Sequence, residues 1–125
     1  MEQDLLTKAY AAFNARDIEA VLALMHPDVV WPNGMEDGYI QGHDAVREYW
    51  TRQWKLIDSQ VEPQNFSTDH TGRTVVDVHQ TVHDLAGHLL SEEMVQHIYW
   101  IEDHLIRSME IKKPQAGAST DMPAA

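Results

Sequence analysis

Apolar side chains near the start of the chain fall at Leu5, Leu6, Ala9, Tyr10 and Phe13, a spacing that predicts an amphipathic first helix. Asn14-Ala15-Arg16-Asp17 breaks that pattern. Asp17 is placed to cap a second, shorter helix whose apolar positions are Ile18, Val21, Leu22 and Met25, with Pro27 ending it. Val29-Val30-Trp31 is a short extended run stopped by Pro32 and Asn33-Gly34, and residues 32–42 read as a loop containing a Glu36-Asp37-Gly38 turn. A third helix is expected from Gly42-His43-Asp44. Its apolar face is Val46, Tyr49, Trp50, Trp54 and Ile57, and Asp44 complements the dipole in its first turn. So many aromatics on one face fit packing against a sheet or lining of a ligand pocket; spacing alone leaves both open.

After Asp58 the period changes from helical to alternating. Residues 60–70 read as a weak strand and residues 73–84 as a clear one. In the latter, Val76, Val78 and Val82 share one face, and Val75, Asp77, His79, Thr81 and His83 share the other. Leu85-Ala86-Gly87-His88 makes a turn into a long strand over 89–102. That strand carries Val95, His97, Tyr99 and Ile101 on one face and Met94, Gln96, Ile98 and Trp100 on the other, which predicts burial on both sides. Glu102-Asp103-His104 turns the chain into a last strand over 105–111, and the polar stretch from Lys112 reads as a frayed tail.

This order of elements is an α+β architecture: three N-terminal helices packed on a curved antiparallel sheet, enclosing one pocket. One domain over 1–111 and a tail over 112–125 are expected. The helical layer covers only one sheet face. Val76, Val78, Val82, Ile98 and Trp100 are then expected to form an exposed apolar patch, most simply matched by a second copy of the chain, a homodimer.

The net charge of −11 opposes binding to a phosphate backbone or an anionic membrane surface. The sequence has no cysteine, so disulfides and thiolate metal sites are excluded. No stretch approaches the length of a membrane span, and the first residues lack the basic and apolar regions of a secretory signal; the expected location is cytoplasmic.

Four local motifs carry a resemblance. They are Tyr10-x-x-Phe13-Asn14-Ala15-x-Asp17, His26-Pro27-Asp28-Val29-Val30-Trp31, Gly42-His43-Asp44-Ala45-Val46-Arg47-Glu48-Tyr49-Trp50, and His97-x-Tyr99-x-Ile101-Glu102-Asp103-His104-Leu105-Ile106. In this order and at these spacings the chain resembles the nuclear transport factor 2-like superfamily, in its SnoaL-like and ketosteroid isomerase-like branch. The resemblance implies a cone-shaped fold with a deep pocket. It does not imply one chemistry, because the fold hosts many. In ketosteroid isomerase, a case described in the general literature of pKa tuning, an aspartate base works with a tyrosine and a protonated aspartic acid. By motif alignment those roles fall on Asn33, Ala9 and His97, so that mechanism is not expected here.

The same alignment points Asp77, His79 and Thr81 into the pocket beside His97, with Trp31, Trp50 and Tyr99 shaping it. Periodicity alone gives the opposite reading, in which the face carrying Asp77 and His79 is the solvent face of a strand. The expectation that follows from the resemblance is a cofactor-free enzyme acting by general acid–base chemistry on a small, largely apolar organic molecule: isomerisation, cyclisation, dehydration or hydrolysis. His97 is its main proton-transfer or polarising group, Asp77 and His79 assist, and Asn33 is a neutral hydrogen-bond partner. The alternative is a non-catalytic domain of the same fold that holds a ligand or a partner. A two-His-one-carboxylate metal set from His79, His97 and Asp77 lacks a supporting tight pair, so no metal is expected.

Overall fold

The computed structural model describes residues 2–33 and 38–112. Helix α1 spans Glu2–Asn14, α2 Ile18–Leu22 and α3 His43–Gln53. The strands are β1 (Met25–Pro32), β2 (Tyr39–Gln41), β3 (Ile57–Thr68), β4 (Thr74–Asp84), β5 (Leu89–Glu102) and β6 (Leu105–Lys112). They form one open sheet in the order β2-β1-β6-β5-β4-β3, antiparallel throughout except for the β1/β6 pair. The architecture is the expected α+β one: three helices against a curved, unclosed sheet.

Local chemistry places the helices as the residue pattern requires. Asp17 accepts a hydrogen bond from the Ala20 amide at 3.2 Å and caps α2. Gly42, at φ 91°, turns the chain from β2 into α3 while its amide donates to Val29 O at 2.8 Å; a residue with a Cβ is strained at that φ. Asn14, the last residue of α1, substitutes for a strand neighbour on edge strand β3. Its Nδ2 donates to Val61 O at 2.7 Å and its Oδ1 accepts from Val61 N at 3.0 Å. The side chain thereby satisfies edge backbone groups and locks α1 to the sheet.

The sheet bends where its pairing slips. Register shifts lie between Pro63 and Asn65, Val82 and His83, and Trp100 and Ile101. Such irregularities increase local twist and curl the long strands around the helices. The concave face carries buried Thr74, Val76 and Val78 of β4 against buried Tyr99, His97 and Val95 of β5, each directly opposite its partner. Leu6, Val46 and Trp50 close the core from the helical side.

Four expectations are corrected. Met25 does not belong to α2, which stops at Leu22. It opens β1, where its buried side chain pairs in register with Ile106, and the register shift between Met25 and Val30 absorbs Pro27 within the strand. The 32–42 segment contains strand β2, because Tyr39, Ile40 and Gln41 find partners on β1; the Glu36-Asp37 part of the turn lies outside the described residues. Ile57 starts β3 rather than ending a helical face, and β3 runs unbroken to Thr68. Val76 and Val78 are fully buried against the helices and are not part of an exposed patch, so the open face is made by the alternate residues.

Candidate functional site

The concave face, α1 and α3 enclose a cavity of about 260 Å³. Trp31 at the end of β1, Trp50 on α3 and Tyr99 on β5 all line it. Their rings are in contact: Trp31 meets Trp50 edge-on at 5.6 Å between centroids and lies 6.5 Å from Tyr99. Phe13 and Trp54 extend this aromatic wall behind Trp50. Ring edges and faces arranged this way favour a flat apolar ligand.

The polar centre of the cavity is His97, only 5% exposed. Alternation along β5 directs its side chain inward together with those of Val95 and Tyr99. Tyr10 reaches it from α1, with its hydroxyl 2.8 Å from His97 Nδ1 and the two ring planes nearly parallel at 16°. Tyr99 donates in turn to the Tyr10 hydroxyl at 2.8 Å. Burial pushes the His97 imidazole down to about 4, so it is neutral at pH 7. Burial also holds both phenols above their ordinary range, so they remain protonated donors.

His97 Nε2 makes no hydrogen bond among the described residues, and His97 lines the cavity. The remaining polar lining is uncharged, from Tyr49, Gln53, Ser59 and Gln80, and no carboxylate lines the cavity among the described residues.

The other expected site residues are not brought together with His97. Asp77 and His79 lie on the opposite face of β4. Asp77 pairs in register with Gln96 and accepts from its Nε2 at 3.0 Å, while His79 Nε2 lies 2.7 Å from Glu92 Oε2. Thr81 follows them, next to Glu92 on β5. The strand's alternation sends these side chains outward because Val76 and Val78 take the inward positions. Asn33 sits just past β1 with its amide donating to Gly38 O at 2.9 Å, and it is not among the lining residues. A metal set built from His79, His97 and Asp77 is ruled out by this separation, and no other cluster of metal-ligating residues occurs among the described ones.

The residue that sequence reasoning missed is Tyr10. Motif alignment places the isomerase tyrosine on Ala9, and the spacing of apolar positions places Tyr10 in the helix's apolar stripe. Its phenol was the available signal, since a hydroxyl on the buried face of a helix requires a partner.

Comparison with known proteins bears on this geometry. The family model of the SnoaL-like domain matches residues 6–109. No curated protein matches the chain. Among solved structures, TerC co-crystallised with polyporic acid is 27% identical, with 92% of each chain covered and a TM-score of 0.78. A Mycobacterium tuberculosis protein in complex with estradiol-17β-hemisuccinate is 22% identical over 87% of this chain and 90% of that one, with a TM-score of 0.75. A proposed polyketide cyclase from Sinorhizobium meliloti is 20% identical over 87% and 94%, with a TM-score of 0.74. The last two likenesses show the fold alone.

Proposed function

The chain belongs to the SnoaL-like domain family, and on that premise we propose that its cavity takes up a small, flat, largely apolar ring compound bearing a carbonyl or enol oxygen and promotes a proton shift in it without a cofactor. The observation that carries this reading is His97: a neutral imidazole at the end of an aromatic cup, with Nε2 left for a ligand. A neutral donor aimed at a carbonyl stabilises the enolate that forms when a neighbouring C–H loses its proton to a base admitted from solvent, and the dry surroundings strengthen that bond. Isomerisation, cyclisation and dehydration all pass through such a species. Hydrolysis has less support, since no carboxylate among the described lining residues is available to activate a water. The polyporic acid bound by TerC is the kind of ligand class this reading names.

The test is proton exchange at the activated carbon of 2-tetralone in D2O, followed by NMR. Wild-type protein accelerates the exchange, and His97→Ala loses the acceleration while still folding. An unchanged rate in His97→Ala overturns the assignment. A second reading, a ligand-binding domain without turnover, is favoured by the lack of a carboxylate base among the described lining residues. It predicts saturable binding of 2-tetralone with no exchange above background.

The same reading includes a homodimer through the open sheet face, built from Val75, Met94, Ile98 and Trp100. Val75 lies directly opposite Ile98, and Met94 and Trp100 are each more than two-fifths exposed.

A further inference from the structure

We infer that Tyr10 is a positioning residue which, oriented by Tyr99, holds His97 in the tautomer protonated on Nε2, so that the cavity presents an N–H donor and selects ring compounds by an acceptor oxygen. This rests on the preceding reading that the cavity holds such compounds. It adds which atom recognises them and what sets that atom's state.

Three polar atoms meet in the dry core: the Tyr99 hydroxyl, the Tyr10 hydroxyl and His97 Nδ1. Each phenol carries one proton, and neither phenol can ionise cheaply where it is buried. Tyr99 spends its proton on the Tyr10 oxygen at 2.8 Å. The Tyr10 proton then has Nδ1 as its acceptor, also at 2.8 Å. Nδ1 must therefore carry a lone pair, and a neutral imidazole with a bare Nδ1 has its proton on Nε2. The reverse order runs from Nδ1–H through Tyr10 to Tyr99. It leaves the Tyr99 proton without an acceptor among the described residues at a position only 3% exposed, which is the costlier arrangement.

The near-parallel ring contact and the hydrogen bond from Tyr10 to Nδ1 also orient the His97 imidazole. Each ring is held by contacts away from this bond, Tyr10 by α1 and His97 by its place opposite Val76. The relay is therefore set before any ligand arrives, and the donor needs no reorganisation to meet an incoming oxygen.

Two measurements test this. Long-range ¹H–¹⁵N NMR reads the tautomer of His97, assigned through a His97→Gln variant. Wild-type protein is expected to show bare Nδ1 and protonated Nε2. Tyr10→Phe is expected to show a mixture of tautomers, and Tyr99→Phe to retain the wild-type tautomer because Tyr10 can still donate. A wild-type spectrum with protonated Nδ1, or an unchanged tautomer in Tyr10→Phe, overturns the inference. The second measurement compares affinity for 2-tetralone with that for tetralin, which has the same shape and no oxygen. A preference of about five- to tenfold is expected in wild type, the worth of one neutral hydrogen bond, and it shrinks toward unity in Tyr10→Phe. A preference that survives Tyr10→Phe in full also overturns the inference. If neither compound binds, the pocket reading of the preceding subsection fails, and the tautomer spectrum alone still decides the role of Tyr10.

Discussion

Val76 on β4 sits directly opposite His97 on β5, and both side chains are buried on the concave face of the sheet. Because side chains alternate along a strand, that one pairing sends Asp77 and Gln96 together to the other face, where they are hydrogen-bonded to each other. Which polar residues of β4 share the cavity with His97 is decided by this register.

Asp77→Asn and His79→Ala are accordingly expected to leave cavity chemistry unchanged. Their stability effects should stay within about 0.5 kcal/mol, as for surface positions without a special role. Parallel titrations of 2-tetralone into both variants and wild type check this; a tenfold loss of affinity in either one contradicts the placement.

His97 makes stability depend on pH. Its folded-state value of about 4 lies below the ordinary 6.5, so between those values the unfolded chain binds more protons than the folded one. The contribution is fully present above about pH 6.5, declines as the pH falls toward 4, and amounts to roughly 3 kcal/mol in all. Urea unfolding of wild type and His97→Gln from pH 7.5 to 4 is expected to give a wild-type curve that falls more steeply across this window. Parallel curves contradict it.

Trp50 and Trp31 divide structural and ligand-facing duties. Trp50 is 2% exposed and touches Phe13, Trp31 and Trp54, whereas Trp31 is half-buried. Trp50→Ala should cost about 3–5 kcal/mol in chemical denaturation. Trp31→Ala should cost clearly less stability and weaken ligand binding more than Trp31→Phe does.

Asn14→Ala removes the side chain that caps edge strand β3. With the Val61 backbone groups returned to partial solvation, a loss of about 1–2 kcal/mol is expected. Hydrogen exchange should quicken first at the Val61 amide, and equal protection there in both proteins would show that the contact is unimportant.

For the open face, Trp100→Glu tests the proposed dimer. Sedimentation velocity should show wild type at twice the monomer mass and the variant at the monomer mass; a monomeric wild type contradicts the proposal.

The fold class was legible in the residue pattern. Helical spacing over Leu5–Phe13 and Val46–Trp54, alternation from Arg73 onward and the turns at residues 85–88 and 102–104 are short-range signals, and each lies in an element of the expected type. A pocket shared by His97, Trp31, Trp50 and Tyr99 was an expectation of the family resemblance; spacing alone left core packing and pocket lining both open. Register and face were different. Alternation says that Asp77 and Val76 point to opposite sides, but not which side meets the helices. The solvent-face reading of Asp77 and His79 from periodicity alone was the correct one, and the family alignment displaced it. Only the tertiary structure decided that Tyr10, rather than its neighbour Ala9, reaches His97. That contact joins residues 87 positions apart and depends on the angle at which α1 crosses the sheet, which no local pattern encodes.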